Sequence, residues 1–139
     1  MRYEATTDIK ASAEAVWEII TNPQTLTEGG LGISRFEGAL GLGEKVKLWA
    51  EVAPKQAFAL KVTAYDPAAR MEWTGGMPFG LFKGVRQFVL TPRGQGTHLL
   101  VTETFSGPML GMIAKSMPDL QPSFDQFVDG VKRLAEKRR

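Results

Sequence analysis

Apolar and polar positions alternate in the first ten residues. From Arg2 to Lys10 uncharged residues at odd positions alternate with mostly charged residues at even positions, and this period of two predicts a strand. Ser12 follows as a helix N-cap, and apolar residues then recur at helical spacing until Asn22-Pro23 ends the helix. A second short helix is predicted from Pro23 to Glu28.

From Ser34 to Phe105 the pattern predicts about six strands joined by turns. The predicted turns fall at Gly41-Leu42-Gly43, Pro54-Lys55, Asp66-Pro67, Gly75-Gly76 and Arg93-Gly94-Gln95-Gly96. Between these turns the apolar residues occupy alternate positions. They include Val46 and Leu48, then Phe58, Leu60, Val62 and Ala64, and later Met71 and Trp73. Each predicted strand therefore has one apolar face, as expected for an antiparallel sheet with a single core side.

After Ser106-Gly107-Pro108 the alternation stops and helical spacing returns. A short helical turn is predicted within Met109 to Lys115, and a longer helix begins near Asp119 or Pro122. The apolar residues of this longer helix form one stripe, namely Phe124, Phe127, Val128, Val131, Leu134 and Ala135. This order of elements predicts the α+β class, with helices on one face of an antiparallel sheet. No repeat or linker divides the chain, so residues 1–139 are expected to form a single domain.

Five segments of the chain resemble, in the same order, the START-like or SRPBCC superfamily, which includes polyketide cyclase/dehydrase-like proteins. They are Ile9 to Ile20, Phe36 to Val46, Val62 to Trp73, Gly96 to Gly107 and Phe124 to Glu136. The resemblance implies a helix-grip fold, in which a curved antiparallel sheet of about seven strands wraps around a long C-terminal helix. Two short helices would follow the first strand. Members of the superfamily include lipid and hormone carriers, aromatic polyketide cyclases and chaperone-activating domains, so an internal pocket for a small apolar ligand is implied.

The amino-acid composition limits the kinds of site that the chain can form. The chain has no cysteine and one histidine, which argues against a thiolate nucleophile, a disulfide and a metal site, and no cofactor is expected. It has no apolar run of the roughly 20 residues that a membrane span needs, and a cytoplasmic location is expected. The net charge of +2 comes largely from the C-terminal end. That end lacks interleaved aromatic residues, so nucleic-acid binding is not expected.

The register of the last predicted hairpin places two opposite charges together. A turn of two or four residues centred on Gly94-Gln95 pairs Leu90 with Leu99, Phe88 with Val101, and Arg86 with Glu103. These residues share an apolar face, which should be the concave one. Arg86 and Glu103 are therefore expected inside the pocket, where pairing offsets the cost of burying each charge. A turn of three or five residues would break this register.

The same alternation predicts the walls of the pocket. The sheet wall would consist of Phe58, Leu60, Val62, Met71, Trp73, Phe88, Leu90, Val101 and Phe105. The helical wall would consist of Phe124, Phe127, Val128 and Val131. Two further apolar stretches, Gly75 to Phe82 and Met109 to Met117, are either core or a deformable pocket mouth.

Three functions remain open on this basis. The first is a binder or carrier of a small hydrophobic or amphipathic molecule, in which Arg86 contacts a carboxylate, phenolate or enolate and Glu103 orients Arg86. The second is a cyclase- or dehydratase-like enzyme that uses Arg86, Glu103 and water. The third is an accessory domain that binds a protein, or a second copy of itself, near Trp49 on the outer face. The pair would have only a structural role if no ligand reaches it, and His98 is expected to point to solvent.

Overall fold

The computed structural model describes residues 1–137, which form one antiparallel sheet with helices on one of its faces. In chain order the elements are β1 Arg2–Ile9, α1 Ala13–Ile20, α2 Pro23–Glu28, β2 Ile33–Glu37, β3 Lys45–Ala50, β4 Ala53–Asp66, β5 Arg70–Gly76, β6 Lys83–Arg93, β7 Gly96–Ser106, α3 Leu110–Ala114 and α4 Gln121–Lys137. A single 3₁₀ turn, Pro78–Gly80, lies between β5 and β6.

The seven strands lie in the order β1-β7-β6-β5-β4-β3-β2 and pair antiparallel throughout. The connection that carries α1 and α2 takes the chain from one edge strand, β1, to the other, β2. Helix α4 packs closely against β1 and against α1. A curled sheet with a long C-terminal helix on its inner face confirms the predicted α+β helix-grip architecture.

Side-chain caps define the start of the two short helices. The Ser12 hydroxyl accepts a hydrogen bond from the Ala15 backbone N–H at 3.2 Å, and Asn22 Oδ1 accepts one from Gln24 N–H at 2.9 Å. Each cap satisfies a backbone donor that the helix itself leaves unpaired. Pro23 occupies the first turn of α2, where its missing N–H costs nothing. Both predicted helices are confirmed.

The core lies between the sheet and α4. Phe124, Phe127 and Val131 of the predicted stripe are buried, and Leu134 is half-buried. The Phe127 ring lies 5.6 Å, centroid to centroid, from the ring of Phe88 on the sheet. Burial of one large apolar side chain contributes about 1.5–3 kcal/mol. The stripe therefore holds the helix to the sheet.

The turn predicted at Pro54-Lys55 is wrong. Ala50 pairs with Ala53, so the turn between β3 and β4 is Glu51-Val52 and Pro54 lies inside β4. Strand β4 meets β5 only from Leu60 onward, so its first residues have no neighbour on that side. Proline is tolerated there because its missing N–H removes no bond to β5.

Ala64 does not occupy the inward position that the alternation predicts. A bulge between Val62 and Ala64 shifts the register of β4 against β5, and Tyr65 then pairs with Met71. The Tyr65 ring packs edge-on against Trp17 of α1, with centroids 5.1 Å apart. The bulge thus turns an aromatic residue inward to contact the first helix.

Candidate functional site

A two-residue turn sets the geometry of the β6–β7 hairpin. Arg93 pairs with Gly96, so Gly94 and Gln95 form the turn, and Gly94 adopts a φ of +61° that favours glycine. The predicted pairing of Leu90 with Leu99, Phe88 with Val101, and Arg86 with Glu103 is confirmed. The alternation along both strands places these pairs on the face that carries α4.

The register of four strand pairs aligns one row of side chains across five strands. In order from β4 to β1 the row is Val62, Trp73, Arg86, Glu103 and Tyr3. Because directly paired residues of antiparallel strands share a face, the row lies on the inner face of the sheet. Its middle is charged and its flanks are apolar or aromatic.

Arg86 and Glu103 form an ion pair at the centre of this row. Nε and Nη2 of Arg86 both donate to Glu103 Oε1, at 2.9 and 2.7 Å. The two side chains are 21% and 11% exposed, so the pair is mostly buried yet still reaches solvent. Within residues 1–137, no hydrogen bond involves Arg86 Nη1 or Glu103 Oε2. The pair therefore retains one donor group and one acceptor atom.

Aromatic rings frame the guanidinium. Arg86 Cζ lies 4.7 Å from the ring centroid of Phe124 and 6.0 Å from that of Trp73. Tyr3 in turn lies 5.7 Å from Phe124, centroid to centroid. Cation–π attraction holds the guanidinium more strongly in this partly buried setting than it would in open water. Helix α4 thus closes one side of the ion pair.

Trp73 adds an unusual polar group to this surface. Its ring is buried and packs against Phe88 with centroids 4.6 Å apart. Its indole N–H is the one buried side-chain nitrogen or oxygen in residues 1–137 without a hydrogen-bond partner. Buried polar groups are normally satisfied, so this donor marks the row as a candidate binding surface.

Gly84 and Tyr3 belong to this site, although sequence reasoning missed both. A Cβ at Gly84 would lie 3.0 Å from Glu103 Oε2 and 3.0 Å from a ring carbon of Phe105, so a side chain there would crowd the carboxylate. The parity of Gly84 with Arg86 signals a shared face. Tyr3 joins the row only through the pairing of β1 with β7, which no local pattern reveals.

Most predicted wall residues are buried, and they pack against one another. The buried ones are Val62, Met71, Trp73, Phe88, Leu90, Val101, Phe105, Phe124, Phe127, Val128 and Val131. Leu60 is half-buried. Phe58 opposes Leu48 on the inner face but is 38% exposed, so it lies at the open end of the sheet and not in an enclosed wall.

Two surface depressions lie away from this row. One of about 400 Å³ is lined by the β5–β6 connection and the adjoining strand ends. The other, of about 660 Å³, lies at the opposite end of the sheet, beside Asp8 and Arg93. The predicted wall residues line neither depression. The ion pair and its aromatic frame, more than a large open cavity, therefore define the candidate site.

The outer face of the sheet carries further arginine–glutamate pairs, and one of them, Arg70–Glu72, lies on β5. Arg70 Nη2 lies 3.2 Å from Glu72 Oε2, and Gln87 donates to the same oxygen at 2.8 Å. The hydrogen bond from Gln87, followed by that from Thr63, holds the pKa of Glu72 below its ordinary value. This pair resembles the inner one in composition but faces solvent, so it provides a matched control.

His98 and Trp49 also lie on the outer face, as predicted from their parity. His98 Nδ1 is 2.8 Å from Asp8 Oδ1, and this hydrogen bond holds the pKa of Asp8 below its ordinary value. The guanidinium of Arg35 lies 4.7 Å from the Trp49 ring centroid and covers part of it. Neither residue reaches the inner row.

The side chains of residues 1–137 also bear on metal binding, and their helices on membrane crossing. Those residues contain no group of three or more His, Cys, Asp or Glu side chains that could hold a metal ion. Their helices include none that is long and apolar enough to cross a membrane.

Solved structures with the same fold are numerous and distant in sequence. Protein MLL2253 from Mesorhizobium loti has a TM-score of 0.77 at 19% identity, and the match covers 100% of this chain and 99% of that one. The Aha1 dimer from Colwellia psychrerythraea has a TM-score of 0.74 at 19% identity, with 98% and 96% covered. DynU16, a putative protein in the dynemicin biosynthetic locus, has a TM-score of 0.71 at 18% identity, with 99% of this chain and 48% of that chain covered.

The family comparison covers almost the whole chain. None of the curated proteins matches it in sequence. The sequence profile of one family, described as polyketide cyclase / dehydrase and lipid transport, matches residues 1–136. The chain therefore belongs to the polyketide cyclase / dehydrase and lipid transport family.

Proposed function

We propose that this chain, as a single helix-grip domain, binds a small amphipathic molecule between the sheet and α4. The acidic or polar end of the molecule contacts Arg86, and its apolar body lies against the aromatic residues around the row. The observation that carries this proposal is the Arg86–Glu103 pair, which is mostly buried on the inner face and still reaches solvent.

Stability alone is a weak reason to keep such a pair. Removing two charges from water costs several kcal/mol for each ion, and well-packed apolar residues of similar volume often give equal or greater stability. Arg86 also keeps Nη1 without a protein partner within residues 1–137. A ligand oxygen bound there would form a charge-assisted hydrogen bond, which is stronger than a neutral one.

The surroundings of Arg86 favour a ligand with an apolar body. Phe124 and Trp73 flank the guanidinium, and Phe105 lies beside the carboxylate of Glu103. A polar atom of the ligand that reached the unpartnered indole N–H of Trp73 would satisfy that donor as well. The family description, which names lipid transport and polyketide cyclisation, is consistent with ligands of this kind.

Matched anionic and neutral probes test the proposal. We expect 8-anilinonaphthalene-1-sulfonate, an apolar molecule with an anionic group, to bind the wild-type protein. Arg86→Met should weaken its binding by about tenfold, the loss expected for one charge-assisted hydrogen bond. The neutral analogue N-phenyl-1-naphthylamine should lose little affinity, and fluorescence titration measures both.

Arg70→Met is the control for this experiment. It removes the arginine of the Arg70–Glu72 pair on the outer face and should leave the binding of both probes unchanged. Equal affinity of the anionic probe for wild type and Arg86→Met, or an equal loss in both variants, would contradict the proposed role of Arg86.

A second candidate function, proton transfer on a reactive ligand, is favoured by Glu103 Oε2. This oxygen has no hydrogen-bond partner within residues 1–137 and lies beside a cation that would stabilise a developing enolate. Turnover that disappears in Glu103→Gln while probe binding survives would distinguish an enzyme from a binder.

A further inference from the structure

One end of the sheet carries an exposed apolar surface that the proposed ligand site does not use. Four exposed side chains form it: Met77, Phe79 and Leu81 in the β5–β6 connection, and Met112 in α3. We call these four residues the apolar tip. Phe79 is 99% exposed, so its ring has almost no contact with the rest of the described chain. The sequence predicts either core or a pocket mouth for this stretch, and the exposure of Phe79 excludes a core position for that residue.

The two segments of the apolar tip lie side by side. Met109 N–H donates to the Leu81 carbonyl at 2.9 Å, which ties the entry to α3 to the β5–β6 connection. A Cβ at Gly107 would lie 2.6 Å from the Leu81 oxygen, so only glycine permits this approach. The tip is therefore one contiguous surface made from two connections.

The local backbone holds Phe79 outward. Its φ is +61°, a conformation that bulky residues adopt rarely and at an energetic cost. Met77 N–H donates to the Phe82 carbonyl at 2.8 Å and closes the loop around this residue. Such a conformation persists only where the surrounding structure imposes it, so the exposure of the ring is built into the fold.

The charged residues of the two segments that form the apolar tip are both positive. In residues 77–83 and 107–117 the charged residues are Lys83 and Lys115, and neither segment contains a carboxylate. Both lysines are exposed. A surface with apolar side chains at its centre and lysines at its margin matches the interface of an anionic bilayer, which has acyl chains below and phosphate groups above.

We propose that the apolar tip docks on an anionic lipid surface, with Phe79 inserted and Lys83 and Lys115 against the lipid phosphates. A second copy of this chain fits the same surface less well. In a two-fold dimer the patch would face itself and bring four lysines together with no carboxylate from these segments to pair with them. This proposal does not depend on the identity of the ligand at Arg86.

Vesicle flotation tests the proposal. We expect wild-type protein to bind phosphatidylcholine vesicles that contain phosphatidylglycerol and to bind pure phosphatidylcholine vesicles much more weakly. Phe79→Ser should reduce binding to the anionic vesicles by about tenfold, since it removes the inserted ring. Neutralising Lys83 and Lys115 to glutamine should reduce it by about fivefold for each lysine.

Leu42→Ser is the matched control. Leu42 is 69% exposed in the β2–β3 connection, at the opposite end of the sheet. It should leave vesicle binding unchanged, and circular dichroism should show that all variants are folded, because every substituted side chain is exposed. The proposal is overturned if wild type does not bind anionic vesicles or if Phe79→Ser binds them as well as wild type. It is also overturned if light scattering shows a wild-type dimer that Phe79→Ser separates into monomers without any vesicle binding.

Discussion

Arg86 and Glu103 occupy positions that apolar residues fill elsewhere on the same two strands. Phe88 and Val101 pair immediately beside them, and both are fully buried. The two charges tolerate this setting because Nε and Nη2 of Arg86 both donate to one oxygen of Glu103, at 2.9 and 2.7 Å. Nη1 of Arg86 can still donate a hydrogen bond and Oε2 of Glu103 can still accept one, and an amphipathic ligand would use these two groups.

Removing one partner should cost more stability than removing both. Glu103→Leu leaves the Arg86 guanidinium partly buried without a counter-charge, and we expect it to lower the free energy of unfolding by about 1–3 kcal/mol, less than for a fully buried pair because Arg86 still reaches water. The double variant Arg86→Met/Glu103→Leu should regain most of that loss. Urea unfolding measures both, and a double variant less stable than Glu103→Leu would contradict the argument.

The sequence predicts the pairing of Arg86 with Glu103 but not how much of each side chain is buried. Alternation fixes which face a side chain occupies, and a short turn at Gly94-Gln95 fixes its partner, so Arg86 and Glu103 could be paired from local information. Alternation does not fix how far α4 extends over a given position. The pattern therefore predicts the correct face for Phe58 but not its place at the exposed end of the sheet.

At the scale of elements, β4 departs most from its sequence pattern. Pro54 is a strong local turn signal, yet it lies within the strand because β4 extends past the end of β5 there. The bulge after Val62 is equally hidden, because Ala64 continues the apolar alternation of β4 although Tyr65 takes the inward position. In both cases the outcome depends on strand neighbours that are distant in sequence.

Helix α4 is held by its apolar stripe, and two phenylalanines test this. Phe127 is buried against Phe88, whereas Phe58 lies at the exposed end of the sheet. Phe127→Ala should lower the free energy of unfolding by about 3–5 kcal/mol, because it leaves a cavity in the core. Phe58→Ala should lower it by less than about 1 kcal/mol. Similar losses in thermal or urea unfolding for both variants would show that α4 does not cover the sheet as described.

At the scale of the whole molecule, the site depends on the pairing of the two ends of the chain. Strand β1 completes the inner row by pairing with β7, about a hundred residues later, and α4 then covers both. Phe124 reaches Arg86 in this way, and Tyr3 packs against Phe124. The fold could be predicted because the order of elements resembles a known superfamily. The five residues of the inner row could not be aligned without the register of the strands that carry them.

The central claim is that a ligand binds on the inner face beside Arg86, and two of the three tryptophans report on it directly. Trp73 lies in the inner row, whereas Trp49 lies on the outer face under Arg35. The most direct measurement follows the indole N–H signals of ¹⁵N-labelled protein by NMR during titration with 8-anilinonaphthalene-1-sulfonate. We expect the Trp73 signal to shift in a saturable manner while the Trp49 signal stays in place. A Trp73 signal unchanged at saturation, or a shift confined to Trp49, would contradict the proposed site.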